Sequence, residues 1–138
     1  MKVSANNQPN ALKRALLVDA IASGGMGLLL IVAATPLARL FGLPLDLLRY
    51  VGVFLVPFTG VLVWLATRNV APAGLVLAVV IGNVLWVVAS VALLISGWVN
   101  PTVLGETFVL AQAAAVLLFA YLEFNAARAL AAMTPHRA

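Results

Sequence analysis

An all-α, antiparallel bundle of four transmembrane helices is the fold class this sequence predicts, and three observations carry it. Eight cationic and four acidic side chains are all the fixed charge in 138 residues. None falls between Asp19 and Arg39, between Arg49 and Arg68, or in the 37 residues separating Arg68 from Glu106. The chain is 64% hydrophobic and 9% charged, whereas a soluble domain is roughly 25% charged. A helix needs about 20 mostly apolar residues to cross the hydrocarbon core. Four windows meet that length, at about 13–35, 47–68, 73–97 and 103–125. They use most of the chain and leave short loops and two polar tails. One membrane domain over 1–138 is expected, with its activity inside the bilayer or at its faces.

The first span begins near Ala11. Lys13-Arg14 ahead of an apolar run has the look of a signal peptide, and Ala33 to Ala38 loosely resembles a cleavage region. The run is longer than an ordinary signal core and Asp19 interrupts it early, so a retained span is expected. Asp19, Ser23 and Gly27 are four residues apart and share one helix face. Pro36 ends this span or begins a short new segment. Leu37 to Phe41, apolar with one cation, suits a short amphipathic turn in the interface, and Gly42 breaks it.

Pro44 fits the first turn of the second span and Asp46 suits its N-terminal dipole. Pro57 in the middle of that span frees the Val53 carbonyl and bends the helix. The third span starts near Pro72 and ends at Gly97. Gly74, Ala78 and Gly82 form a ridge of small residues on which another helix can pack closely. Asn100-Pro101 reads as the N-cap and first residue of the fourth span. Phe108, Gln112, Phe119 and Glu123 fall on one stripe of that helix.

Orientation follows from the cations. With four spans, Lys2, Lys13, Arg14, Arg68, Arg128 and Arg137 share one side, and Arg39 and Arg49 the other. The positive-inside rule then places both termini in the cytoplasm. Residue usage rich in Ala, Leu, Val and Arg suggests a bacterial inner membrane. The net charge of +4 lies at helix ends as a topology signal, so no nucleic-acid partner is expected. The expected partners are the lipid bilayer and, through the small-residue ridge, a homodimer mate or a larger membrane complex.

Several chemistries are excluded by residue type. There is no cysteine, which removes disulfides, thiolate metal sites and thiol redox chemistry. The single histidine, His136, lies in the C-terminal tail. No Ser/His/Asp or Cys/His set can form within the spans. Ser23-Gly24-Gly25-Met26-Gly27 lacks the basic residue of a phosphate-cradling loop. No metal or cofactor is expected, and no enzymatic activity.

Two groups of polar residues remain. Pro57, Thr59, Asn83 and Gln112 lie midway along their spans, with Trp86 beside Asn83 as a packing residue or pocket wall. They form either a polar midplane site or interhelical glue, in which Asn83 and Gln112 bond each other or a neighbouring backbone. Asp19 and Glu123 are placed nearer the cytoplasmic rim. They serve either as proton or cation relays or as ion-pair partners of Arg14, Arg68 and Arg128. In length and span number the chain resembles the small multidrug resistance transporters, which carry a glutamate in span one. Asp19 stands in that span without the surrounding motif, and the resemblance is one of architecture. The residues point first to a non-enzymatic accessory or scaffold-type membrane protein. The alternative is a small transporter or channel for a neutral or cationic solute.

Overall fold

The computed structural model describes residues 7–133, with side chains from Asn10 onward. Lys2, His136 and Arg137 lie outside the described residues. The chain forms α1 (Asn7–Val32), α2 (Ala34–Phe41), α3 (Leu45–Ala66), α4 (Ala73–Ile95) and α5 (Val103–Met133). α1, α3, α4 and α5 are each long and apolar enough to cross a membrane, which makes this a multi-pass membrane protein. α2 is the expected short segment between the first two spans. Pro36 sits in its first turn, and Gly42 ends it at φ 63°, a left-handed conformation that a Cβ disfavours.

Two helices are longer than their apolar windows. α1 starts at Asn7 rather than near residue 11–13, and α5 continues to Met133 rather than ending near 125. The α5 extension is alanine-rich and favours helix without favouring lipid, and the α1 extension opens with polar residues and a proline in its first turn. α5 is capped by Thr102, not by Asn100-Pro101. The Thr102 hydroxyl accepts the Gly105 N–H at 3.1 Å, and Thr102 in turn ties α5 to α2. It donates its N–H to the Phe41 carbonyl at 2.9 Å and its hydroxyl to the Leu40 carbonyl at 2.8 Å. The Phe41 and Phe108 rings stack with centroids 4.4 Å apart.

The long helices pack in the spatial order α3, α1, α5, α4. α1 lies along α3, α5 lies along α4, and α1 meets α5. No comparable packing joins α3 to α4, although they are consecutive. The α1–α3 contact is closest where Gly27 faces Gly52. A Cβ on Gly52 would stand 3.0 Å from the Gly27 carbonyl and 3.1 Å from Leu30 Cβ. The small-residue ridge of α4 is not used inside the chain. Gly74 and Gly82 have nothing within 4 Å of a Cβ position, and Ala78 is exposed.

Two apolar clusters fill the bundle. One, at the end bearing the termini, joins Leu12, Leu16, Leu62, Leu65, Val76 and Val79. The other, at the opposite end, joins Leu30, Phe41, Leu48, Leu55, Val99 and Val109. Large apolar side chains such as Ile21, Val32, Ile95 and Leu118 point outward, as lipid-facing residues of a membrane bundle do.

The Gly27–Gly52 crossing makes a direct prediction. Gly52→Val forces α1 from α3 and lowers stability by about 1–3 kcal/mol. Gly60→Ala, in open space, leaves it unchanged. Thermal unfolding of both variants in detergent tests this; equal midpoints would show that the close approach does not matter.

Candidate functional site

Between the two apolar clusters lies a layer of polar side chains supplied by α1, α4 and α5. Its centre is Asn83, 4% exposed. The Asn83 Nδ2 group donates to Asp19 Oδ2 at 2.9 Å and to Glu123 Oε2 at 3.2 Å. Ser23, one turn along α1, donates its hydroxyl to the other Asp19 oxygen at 2.9 Å. Asp19 and Glu123 are 1% and 0% exposed. The two carboxyl groups are thus held by a single amide, and Glu123 Oε1 is buried with no partner among the described residues.

The helix faces explain why these groups meet. Asp19, Ser23 and Gly27 do share a face of α1, and the close approach at Gly27 keeps α3 tight against it. On α5, Gly105, Val109, Ala113, Ala120 and Glu123 form the buried stripe. Its small residues let α5 lie near α1 and bring Glu123 level with Asp19. Asn83 occupies the matching place on the buried face of α4 with Val76, Val79, Val80 and Ser90.

This arrangement corrects the expected depth of the acids. Asn83 is ten residues from the start of the 23-residue α4, about 15 Å along its axis. Asp19 and Glu123, bonded to it, are therefore level with the middle of α4 and not near the rim. The misplacement came from the apolar windows, which begin α1 late and end α5 early. Arg14, Arg68 and Arg128 are exposed, whereas the acids point inward to Asn83 and Ser23. The expected ion pairs are replaced by these hydrogen bonds, and the Arg68 guanidinium lies 4.2 Å from the centre of the Trp64 ring.

Asn83 and Gln112 do not bond each other. Gln112 forms a second network one to two turns away. Its Oε1 accepts the Trp86 indole N–H at 2.8 Å. Its Nε2 donates to Ser90 Oγ at 3.0 Å and to the Val109 carbonyl at 2.9 Å. Ser90 donates its hydroxyl to the Trp86 carbonyl at 2.8 Å. Pro57 and Thr59 stand apart from both networks. Pro57 is exposed, and Thr59 packs against Gly24 with its hydroxyl buried and without a partner among the described residues. Ser90, which the sequence places on one face of α4 with Asn83 and Trp86, joins the second network.

The wide spacing of α3 and α4 leaves a cavity of about 840 Å³. It extends from Ser23 and Asn83 toward Leu43, Leu93 and Phe108, with α1 and α5 behind it. Its walls are largely aromatic and aliphatic. The Phe54 and Trp86 rings face each other across the α3–α4 gap, parallel within 4° and 6.3 Å apart. Asp19 and Glu123 are absent from the lining and sit behind Ser23 and Asn83. Toward the termini the layer is sealed by Leu16, Leu62, Leu65 and Val76, each no more than 1% exposed.

Replacing Asn83 by Leu removes the amide that, among the described residues, donates to both carboxyls. The expected loss is about 1–3 kcal/mol, the cost of leaving buried polar groups unmatched. Gln112→Leu costs less, because Ser90 and Trp86 remain beside the cavity. Thermal unfolding in detergent measures both, and an Asn83→Leu variant as stable as the parent would show that the amide is not structural. No known protein family, curated protein or solved structure matches this chain.

Proposed function

We propose that this protein is a small membrane transporter for a neutral or cationic solute. The solute occupies the cavity between α3 and α4, and the Asp19–Glu123 pair holds and releases the coupling proton. One observation carries the reading: two carboxyl groups are fully buried at mid-helix and share a single amide. A carboxylate at the centre of a spanning helix costs roughly 2.5–3.5 kcal/mol on insertion. Neutral interhelical hydrogen bonds supply about 0.6–2 kcal/mol without that cost. A bundle needing only glue has no use for two acids here, whereas a proton carrier does.

The cavity supports the same reading. It touches Asn83 and Ser23 on one side of the carboxyls, while Leu16, Leu62, Leu65 and Val76 close the other side. A cavity on one side of the carboxyls and a seal on the other suit one half of an alternating-access cycle. Pro57 in α3 offers a bend beside the cavity wall. The distribution of cations supports a cytoplasmic location for both termini, and residue usage favours a bacterial inner membrane. The reading is non-enzymatic: the sequence has no cysteine and its single histidine lies in the tail.

The alternative is an accessory or scaffold-type subunit. It draws on the outward ridge of Gly74, Ala78 and Gly82, which suits a partner helix or a second copy of the chain.

The two readings separate in proteoliposomes loaded with a pH-sensitive dye. Under an imposed pH gradient with a solute mixture outside, the parent protein is expected to carry protons inward or outward with solute. Asp19→Asn and Glu123→Gln, each nearly isosteric, are expected to reduce that flux at least tenfold while unfolding normally. No proton movement in the parent removes the transport reading.

A further inference from the structure

The polar lining of the cavity has a one-sided hydrogen-bonding character. Five lining residues carry side-chain donors: Ser23, Asn83, Trp86, Ser90 and Gln112. Every one of those donors is already engaged within the protein. Ser23 donates to Asp19, and both hydrogens of the Asn83 amide go to the two carboxyls. The Trp86 indole goes to Gln112, both hydrogens of the Gln112 amide go to Ser90 and Val109, and Ser90 donates to a backbone carbonyl. What remains available is acceptor capacity. Asn83 Oδ1 accepts no bond among the described residues, because the NH₂ end is the one turned to the two carboxyls. Ser23 Oγ, Ser90 Oγ and Gln112 Oε1 each retain a lone pair.

Such a lining discriminates. A ligand that brings donors finds partners at these oxygens. A ligand that brings only acceptors leaves its own atoms and the site's oxygens unmatched in a dry cavity, which is the costly outcome. The rest of the wall adds to the preference. Phe54, Phe58, Phe108, Phe119 and Trp86 present aromatic rings, whose faces attract cations. Any ionisation of the carboxyls behind Asn83 and Ser23 strengthens the same bias.

We propose that the cavity binds a lipophilic amine in its ammonium form. Its N–H groups bond the Asn83, Ser23 and Gln112 oxygens, and its apolar body lies among the aromatic side chains. The volume, about 840 Å³, is in the range of sites for drug-sized ligands. The gap between α3 and α4 lets such a molecule enter sideways from the bilayer. This assignment rests on the reading of the cavity as a solute site and names the class of solute.

Three matched probes test it: 4-phenylbutylammonium, neutral 4-phenylbutanol and 4-phenylbutanoate. The protein carries Trp64→Phe and Trp98→Phe in a lipid nanodisc, so that Trp86 is the remaining indole and reports from the cavity wall. Empty nanodiscs correct for partitioning into lipid. The ammonium is expected to bind at least about tenfold more tightly than the alcohol, and the carboxylate more weakly still. Gln112→Leu frees the Trp86 N–H as a donor and is expected to lower the ammonium-to-alcohol ratio; if that variant does not fold, the parent ratio alone decides. Equal binding of ammonium and alcohol, or tighter binding of the carboxylate, overturns the amine assignment and leaves the solute cavity standing. A signal that follows acyl-chain length of the nanodisc lipid, with no saturable response to any probe, assigns the cavity to lipid and overturns both.

Discussion

The structure depends on the hydrogen-bonding capacity of one amide. Asn83 has two N–H bonds to give, and it gives one to each of two carboxyl groups on different helices. Hydrocarbon offers no substitute partner, so a polar group buried there must be met by protein. That requirement brings α1, α4 and α5 together at one level and determines how each is rotated. The apolar clusters above and below then pack around an arrangement already specified by three side chains. Hydrophobic burial alone specifies rotation weakly in a membrane, because lipid is as apolar as leucine.

The cavity is a consequence of the same constraint. Drawing α5 between α1 and α4 leaves α3 and α4 widely spaced, so that they meet through side chains alone, at Leu62 and Val76 and at Phe54 and Trp86. The glycine contact between α1 and α3 holds α3 on the far side of α1. A gap results with aromatic side chains leaning into it and with the second polar network, centred on Gln112, along one wall. The carboxyls lie outside this gap but only one side chain away. Ser23 and Asn83 therefore stand between the carboxyls and the cavity, bonded to the first and lining the second.

Much of this was legible in the sequence. The charge-free runs marked four spans, Pro36 and Gly42 bounded the interfacial helix, and the spacing of Asp19, Ser23 and Gly27 defined a shared face. The pairing of polar groups across helices was not legible. Periodicity assigns Asn83 and Gln112 to faces but does not say which helix each face meets, and neutral Asn–Gln pairing looked as reasonable as the Asn83–carboxyl bonds that form. Depth was misread for a different reason. Hydropathy measures where lipid is favoured, whereas helix length depends on backbone propensity, and the alanine-rich segment after Glu123 continues the helix well past the apolar window. Thr102 was passed over as a cap because Asn100-Pro101 offered a stronger local pattern.

The spatial order of the helices also bears on how the molecule is made. α1 and α3 are early neighbours in synthesis and can pack as soon as both have emerged. α4 follows with no partner of its own along most of its length, because its principal partner is α5. Until the last helix arrives, Asn83 has one of its two carboxyl partners, and Val76 and Val79 of α4 pack with Leu12, Leu16, Leu62 and Leu65. α5 is the helix that completes the bundle: it lies between α1 and α4 and supplies Glu123 to the centre. Without it, Asn83 lacks one carboxyl partner and α4 lacks its principal neighbour.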